Sequence, residues 1–221
     1  TIGRLIEIII CDPALVARIM KAANSAIYGR QRVISSISEA IMVAGIPAIR
    51  GICLGACLKH GRNAWSEAEQ MVWEHSLCTA LACRNLAGKL RKTYGDELYT
   101  VGILHDLGKL ILLQQIPKTY REVVNETTSG QSYLEAEGEI LGYGHALIGA
   151  LALDKWNLPE ELCQIIVCHH GPEISVLDNL VYEKLNVLRF CNLLAHSLGY
   201  GHLPGYPDIT AQLHRAGKKL A

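Results

Sequence analysis

The sequence of 221 residues lacks several features that define whole classes of protein. No apolar run reaches the ~18 residues that a membrane-spanning helix needs, and no segment has the pattern of a signal peptide. We therefore expect no contact with the membrane. The sequence also has no alternating strand pattern, no low-complexity stretch and no internal repeat, which argues against an all-β fold and against a repeat array.

Cysteine pairs at the C-x-x-C spacing are also missing. The chain has eight cysteines, but none form a C-x-x-C pair, and most lie within apolar helical runs where a thiol behaves as a small hydrophobe. We expect a reducing cytoplasm, no disulfide framework and no cysteine-based zinc site. The first residue is Thr and not Met, so a fragment of a longer protein is one expectation.

The net charge is zero, but the charge is unevenly spread. Residues 1–64 carry eight basic and three acidic side chains, whereas residues 65–221 carry 13 and 18. Either the first part meets an acidic partner, or the two parts face each other or the solvent. Nucleic acid is not expected, because aromatic residues do not alternate with the basic ones. An exposed row of Arg30, Arg32 and Arg50 would favour nucleic-acid binding.

Helix start and stop signals recur along the chain. Asp12 followed by Pro13 has the pattern of an N-cap and first helical residue, and a long amphipathic helix is predicted from Ser66 to about Arg91. Capping boxes are predicted at Ser36–Glu39 and Ser132–Glu135. These signals predict an all-α protein whose short connections suit a packed multi-helix bundle.

One central segment, TVGILHDLGKLILL at residues 100–113, contains costly polar residues within an apolar run predicted to be a single helix. A buried carboxylate such as Asp106 must be paired, hydrogen-bonded or metal-bound. His105 and Asp106 point about 100° apart on a helix, yet both can reach an ion lying between them. Gly102 and Gly108 flank the pair and would let neighbouring helices approach closely.

Candidate metal ligands occur on several separate predicted helices. A lone histidine on an apolar face is usually an ordinary core residue, but here four helices each supply one beside an aspartate. The candidate metal ligands are His75, His105, Asp106, His145, His169 and His170. We expect these imidazoles to gather in one pocket beside Asp106.

This set of residues resembles the HD superfamily of metal-dependent phosphohydrolases. The wider sequence resembles its HDOD branch (the HD-related output domain), through CDPALVARIMKAANSAIYG, ISSISEAIMVAG, LHDLGKLIL, ILGYGHALIGALALDKWNLPE and CHHGPE. The resemblance implies an HD-type helical bundle. We expect a single domain over residues 1–221, with an N-terminal helical subdomain (1–64) and an HD-like helical core (65–221).

The chain also departs from the two-metal HD phosphodiesterases. The resemblance places Met71 where those enzymes have a glutamate, and Asn192 where they have a late aspartate. The Gly-Tyr-Pro motif of cyclic di-guanylate hydrolases is absent after the histidine pair. One carboxylate and up to five imidazoles suit a transition metal better than Mg²⁺, so we expect a single divalent ion: Fe, Ni, Zn or Mn.

Asp106 and Lys109 are the candidate catalytic residues. Lys109 would be a general acid or a phosphate-binding group; alternatively, its head reaches out of a packed helix into solvent. The resemblance implies a bacterial signalling module without robust catalysis, which acts through a protein partner or a fused regulatory domain. The alternative is a phosphohydrolase or phosphodiesterase acting on a nucleotide or cyclic dinucleotide.

Overall fold

The computed structural model describes residues 2–25, 33–60, 66–171, 178–201 and 208–220. These ranges form twelve α-helices and contain no strand, so the predicted all-α fold is confirmed. The helices are α1 (Ile2–Ile9), α2 (Pro13–Ala23), α3 (Ile37–His60), α4 (Glu67–Lys89), α5 (Gly95–Leu104), α6 (Leu107–Gln115), α7 (Pro117–Thr128), α8 (Tyr133–Ile140), α9 (His145–Lys155), α10 (Glu160–Cys168), α11 (Asn179–Ser197) and α12 (Thr210–Lys218). No helix in the described part of the chain has the length and apolarity needed to cross a membrane.

At three of the predicted helix starts, the N-cap side chain accepts hydrogen bonds from the first turn of the helix. Asp12 Oδ1 accepts from the backbone N–H groups of Ala14 and Leu15 at 2.8 and 3.1 Å. Ser66 and Ser132 each form a complete capping box with the glutamate three residues later. These side chains satisfy N–H groups that a helix leaves without partners in its first turn.

The central segment is not one helix, so that prediction was wrong. α5 ends at Leu104 and α6 begins at Leu107, and His105 and Asp106 form the turn between them. The backbone of Asp106 is not helical (φ −100°, ψ 12°), and its carboxylate makes no capping hydrogen bond to α6. The carboxylate instead points towards other side chains, described below. The break was invisible to periodicity, because apolar residues continue across it without glycine or proline at the turn.

Two clusters of buried apolar side chains meet at this turn. The larger cluster includes residues of α2, α5, α10 and α11, and the smaller joins α6, α7 and α8 to Val72 of α4. The N-terminal helices are tied to the rest by specific bonds: Trp73 Nε1 donates to the Cys11 carbonyl at 2.7 Å, and Tyr99 donates to the Ile10 carbonyl at 2.9 Å. The division of the chain at residue 64 stays a prediction.

The two glycines beside the turn do permit close helix packing, as predicted. A Cβ added at Gly102 would lie 2.6 Å from Ala80 Cα of α4. A Cβ added at Gly108 would lie 2.0 Å from the His145 carbonyl oxygen at the start of α9. The absence of side chains at these positions therefore brings α4 and α9 against the turn that carries His105 and Asp106.

Candidate metal centre

The structure brings all six predicted ligand residues together. Four helices and their ends supply them: α4 carries His75, the α5–α6 turn carries His105 and Asp106, α9 begins with His145, and α10 is followed directly by His169 and His170. The first five are at most 3% exposed. Their side-chain donor atoms form two overlapping groups that share Asp106.

The first group surrounds one carboxylate oxygen, Asp106 Oδ2. His105 Nε2 lies 3.5 Å and His75 Nε2 lies 3.7 Å from this oxygen, and the two nitrogens are 3.3 Å apart. Asn192 Oδ1 lies 2.8 Å from His75 Nε2. Asn192 therefore stands at this pocket, where the resemblance placed it.

The second group surrounds the other oxygen, Asp106 Oδ1. His145 Nε2 lies 3.1 Å and His169 Nε2 lies 3.8 Å from it. His170 Nε2 is 3.2 Å from His145 Nε2. Donors bound to one transition metal at about 2.0–2.2 Å are ~3–4 Å from each other, so these spacings fit a shared ion.

The imidazoles are oriented by hydrogen bonds on their outer nitrogens. Nδ1 of His105 lies 2.7 Å from the Gly102 carbonyl, and Nδ1 of His169 lies 2.6 Å from the Ile166 carbonyl. A carbonyl can only accept, so each Nδ1 carries the hydrogen and each Nε2 keeps its lone pair. A neutral imidazole with a free Nε2 lone pair is the form that binds a metal.

Two buried polar atoms at the centre lack ordinary partners. Within the described residues, neither Asp106 Oδ1 nor His169 Nε2 has a hydrogen-bond partner. Such atoms are rare in folded proteins, because leaving one without a partner costs about 1–3 kcal/mol. Both belong to the second group, so its donor set fits a bound cation.

Lys109 points inwards, so the interpretation of a head reaching into solvent was wrong. Its side chain is buried, and Nζ donates to Asp106 Oδ2 at 2.8 Å. Nζ also lies 4.1 Å from the centre of the Tyr133 ring. Lys109 therefore offsets part of the charge of Asp106 on the side of the first group.

Burial and nearby charges set the protonation states. Burial lowers the pKa of His75 to about 4, and it also lowers the pKa of His105, His169 and His170. Burial alone would raise the pKa of Asp106, but the neighbouring charges, that of Lys109 among them, hold it well below its usual range. The centre therefore consists of an ionised carboxylate among mostly neutral imidazoles, which is a metal-binding state.

Sequence reasoning missed Glu137 on α8. This residue is fully buried, and its carboxylate accepts from the backbone N–H of His145 at 2.8 Å and lies 2.8 Å from His145 Nδ1. Tyr120 donates to the other carboxylate oxygen. Burial lowers the pKa of His145, but Glu137 outweighs it and raises that pKa. Tyr133 and Ala136 share the buried face of α8, and this helical spacing could have revealed Glu137.

Some sequence predictions lie beyond this site or beyond the described residues. Met71 packs against the smaller apolar cluster and contributes no ligand. Arg30, Arg32 and the side chain of Arg50 lie outside what the structure describes, so an arginine row stays a prediction.

Known proteins resemble this chain over most of its length. The sequence model of the HDOD domain matches residues 1–172. An uncharacterized protein of Treponema pallidum (strain Nichols) is 27% identical over 177 residues, covering 76% of this chain but 33% of that protein. The chain thus spans about a third of the length of this curated relative.

Solved structures share the fold. The MmoQ response regulator of Methylococcus capsulatus strain Bath is 25% identical, with a TM-score of 0.75 over 100% of this chain and 90% of that one. An HDOD domain protein of unknown function from Geobacter sulfurreducens is 22% identical, with a TM-score of 0.58 over 100% of this chain and 76% of that one. With the family match over residues 1–172, these observations show that the chain belongs to the HDOD domain family.

Proposed function

We propose that this chain is a regulatory HDOD module of a signal-transduction protein, and that its histidine cluster holds one divalent transition metal ion. The observation that carries the proposal is the convergence of five imidazoles on the two oxygens of Asp106. The likeness to a response regulator supports the regulatory role. A protein partner or a fused regulatory domain would supply or receive the signal.

The second donor group is the better place for the ion. It offers four ligands, Asp106 Oδ1 and the Nε2 atoms of His145, His169 and His170. Asp106 Oδ2 on the other side already accepts from Lys109. Glu137 behind His145 makes that imidazole a stronger electron donor, as carboxylate–histidine pairs do in metal sites.

The charge of the site favours one ion over two. Asp106 and Glu137 each supply a negative charge, and Lys109 supplies a positive one. The net charge is then about −1, so one divalent ion leaves about +1 and a second would leave about +3 in a buried site. Uncompensated buried charge is expensive, which agrees with the expected single ion: Fe, Ni, Zn or Mn.

Such an ion would connect elements that are distant in sequence. Its ligands come from the α5–α6 turn, the start of α9 and the end of α10. Because an ion that binds only the folded state stabilises it, by ~2.7 kcal/mol at a hundredfold excess over Kd, metal occupancy would set the rigidity of these helices. This coupling is a physical basis for a regulatory output.

The melting temperature of the protein with and without chelator tests this proposal. We expect chelation to lower the melting temperature of the wild type and of His214→Ala, a variant of an exposed histidine on α12. His169→Ala should melt low and should not respond to chelator. A wild type that melts at the same temperature in both conditions would contradict the proposal.

A second candidate function is a metal-dependent phosphohydrolase. It is favoured by an open cavity of about 300 Å³, lined by His169 and His170, through which a substrate could reach the centre. A bound metal would polarise a phosphoryl oxygen and activate water. Asp106 would hold the ion, and Lys109 would keep the Asp106 carboxylate oriented and ionised.

Turnover of a panel of nucleotides and phosphodiesters by metal-loaded protein separates the two candidates. Activity that disappears in His169→Ala and persists in His214→Ala would establish the phosphohydrolase. Equal activity in wild type and His169→Ala would identify a contaminant. Metal-loaded protein that turns over none of these compounds would favour the regulatory binding module over the phosphohydrolase.

A further inference from the structure

Helix α9 has two faces with different surroundings. Its inner face carries His145, whose ring belongs to the proposed metal centre, and Gly149, which faces α6 and α10. Its outer face carries Leu147 and Leu151, which are 43% and 56% exposed. Because residues four apart lie on the same side of a helix, the two leucines form an apolar stripe that begins two residues after His145.

The apolar stripe continues onto α8. Leu134 is 42% exposed, and its Cδ2 atom lies 3.7 Å from the position that a Cβ of Gly144 would occupy at the N-cap of α9. One turn beyond Leu134, nothing lies within 4 Å of a Cβ added at Gly138, so the surface is open there. Leu134, Leu147 and Leu151 therefore form one exposed apolar surface, which we call the α8–α9 face. Contiguous exposed apolar surface is typical of an interaction site.

The exposed charges around these leucines are mainly acidic. Glu135 and Glu139 lie on the exposed side of α8, and Asp154 is exposed three residues after Leu151 on α9. Within the described part of the chain, no lysine or arginine forms an ion pair with any of these three carboxylates. Lys155 is the only lysine or arginine of the two helices. The α8–α9 face therefore combines apolar side chains with net negative charge.

This charge distinguishes between two kinds of occupant. A second copy of the chain, meeting the α8–α9 face with its own α8–α9 face, would bring acidic surfaces together, and like charges repel each other across an interface. A basic partner would instead be attracted. Leucines one helical turn apart also match the spacing at which helices bind one another through apolar side chains three, four and seven residues apart.

We propose that the α8–α9 face docks a basic amphipathic helix of a partner protein. The partner helix presents apolar side chains to the leucine stripe and lysine or arginine side chains to the surrounding carboxylates. This inference deepens the proposed function, and it rests on that function for its regulatory meaning. A helix bound to the outer face of α9 would restrain the same helix that a metal ion holds through His145, so the two binding events would be coupled in both directions.

Fluorescence anisotropy of labelled peptides mixed with the full chain tests the inference. The probe is a synthetic helix of about 18 residues, long enough to be helical alone, with leucine along one face and lysine elsewhere. One comparison peptide carries glutamate in place of lysine, and another has the composition of the probe in an order without an apolar face. The probe should bind about tenfold or more tightly than either comparison peptide, and salt should weaken its binding.

Substitutions on the outer face of α9 locate the binding site. The double variant Leu147→Ser/Leu151→Ser should bind the probe about tenfold or more weakly, as expected when two apolar side chains no longer contribute buried surface. The matched control is Leu81→Ser on α4, which alters a leucine that is 47% exposed and lies outside the α8–α9 face. This control should bind within about twofold of wild type. Both variants alter exposed side chains, so their melting temperatures should stay close to that of wild type.

Several results would overturn the inference. It is wrong if the probe does not bind, if either comparison peptide binds as tightly as the probe, or if the double leucine variant binds as well as wild type. Sedimentation of the full chain tests the other occupant. A wild type that sediments as a dimer, together with a double variant that sediments as a monomer, would show that a second copy covers this face and would also overturn the inference.

The metal content of the same preparations distinguishes this inference from the proposed function. Neither Leu147 nor Leu151 is a metal donor, so the double variant should retain the metal content of wild type. Metal-containing protein that does not bind the probe refutes the docking site alone. Metal-free protein that binds the probe through the two leucines refutes the metal site alone.

Discussion

Replacing Gly108 with alanine tests how the fold sets the geometry of the centre. A Cβ at this position would lie 2.0 Å from the His145 carbonyl oxygen and 2.9 Å from Gly149 N. Since real Cβ atoms essentially never come within 3.0 Å of such atoms, α6 and α9 must separate by about 1 Å. Both obstructing atoms belong to the backbone, so no side-chain rotation relieves the clash.

The expected cost of Gly108→Ala follows from two opposing effects. Overpacking costs ~1–3 kcal/mol, and occasionally more, whereas alanine in a helix gains at most about 1 kcal/mol over glycine. Because the clash is with backbone, we expect a net loss of about 2–3 kcal/mol, or roughly 4–12 °C in melting temperature. The separation should also move His145 away from Asp106 and weaken metal binding.

Thermal melting of metal-free protein measures the stability, and titration with a divalent metal measures the binding. Gly138→Ala on α8 is the matched control, because nothing lies within 4 Å of a Cβ at that position. This control should equal or exceed the wild type in stability. If Gly108→Ala is as stable as Gly138→Ala and binds metal equally well, the contact between α6 and α9 at Gly108 does not set the stability of the fold or the geometry of the centre, and the reasoning is refuted.

Three further predictions follow from buried charge. Glu137→Gln should weaken metal affinity ~10–100-fold, because His145 loses its carboxylate partner; unchanged affinity in a chelator competition would contradict this. Metal-free protein should lose stability as pH falls from 6.5 to about 4, since the unfolded chain takes up a proton at His75 that the native state refuses. His75 alone accounts for up to about 3 kcal/mol of this loss, and denaturation midpoints that are flat across this window would disprove it. Lys184→Met should destabilise the fold by about 2 kcal/mol, the order expected for lost hydrogen bonds between charged groups, because its buried ammonium pairs with two glutamates; an unchanged urea midpoint would refute this.

The sequence predicted the parts of this fold that depend on local chemistry. Asp12, Ser66 and Ser132 cap helices where their side chains can reach N–H groups two or three residues ahead, and local spacing is sufficient to show this. The residue types of the ligand set were also visible, because histidines within apolar segments are conspicuous.

Features that depend on tertiary contacts were hidden. The turn at His105 and Asp106 interrupts an apolar pattern that continues through it, and the close approach of α4 and α9 on either side of this turn is a tertiary contact. The division of the centre between the two oxygens of Asp106 is a property of side-chain directions in space. Glu137 escaped notice because Glu135 and Glu139 lie close by; its place on the buried face of α8, beside Tyr133 and Ala136, distinguishes it from them.

Elemental analysis of protein purified without chelator tests the central claim most directly, with His169→Ala and His214→Ala prepared in parallel. The account predicts about one equivalent of a divalent transition metal per chain in wild type and in His214→Ala, and only traces in His169→Ala. Trace metal in all three proteins, or equal metal in His169→Ala and wild type, would contradict it.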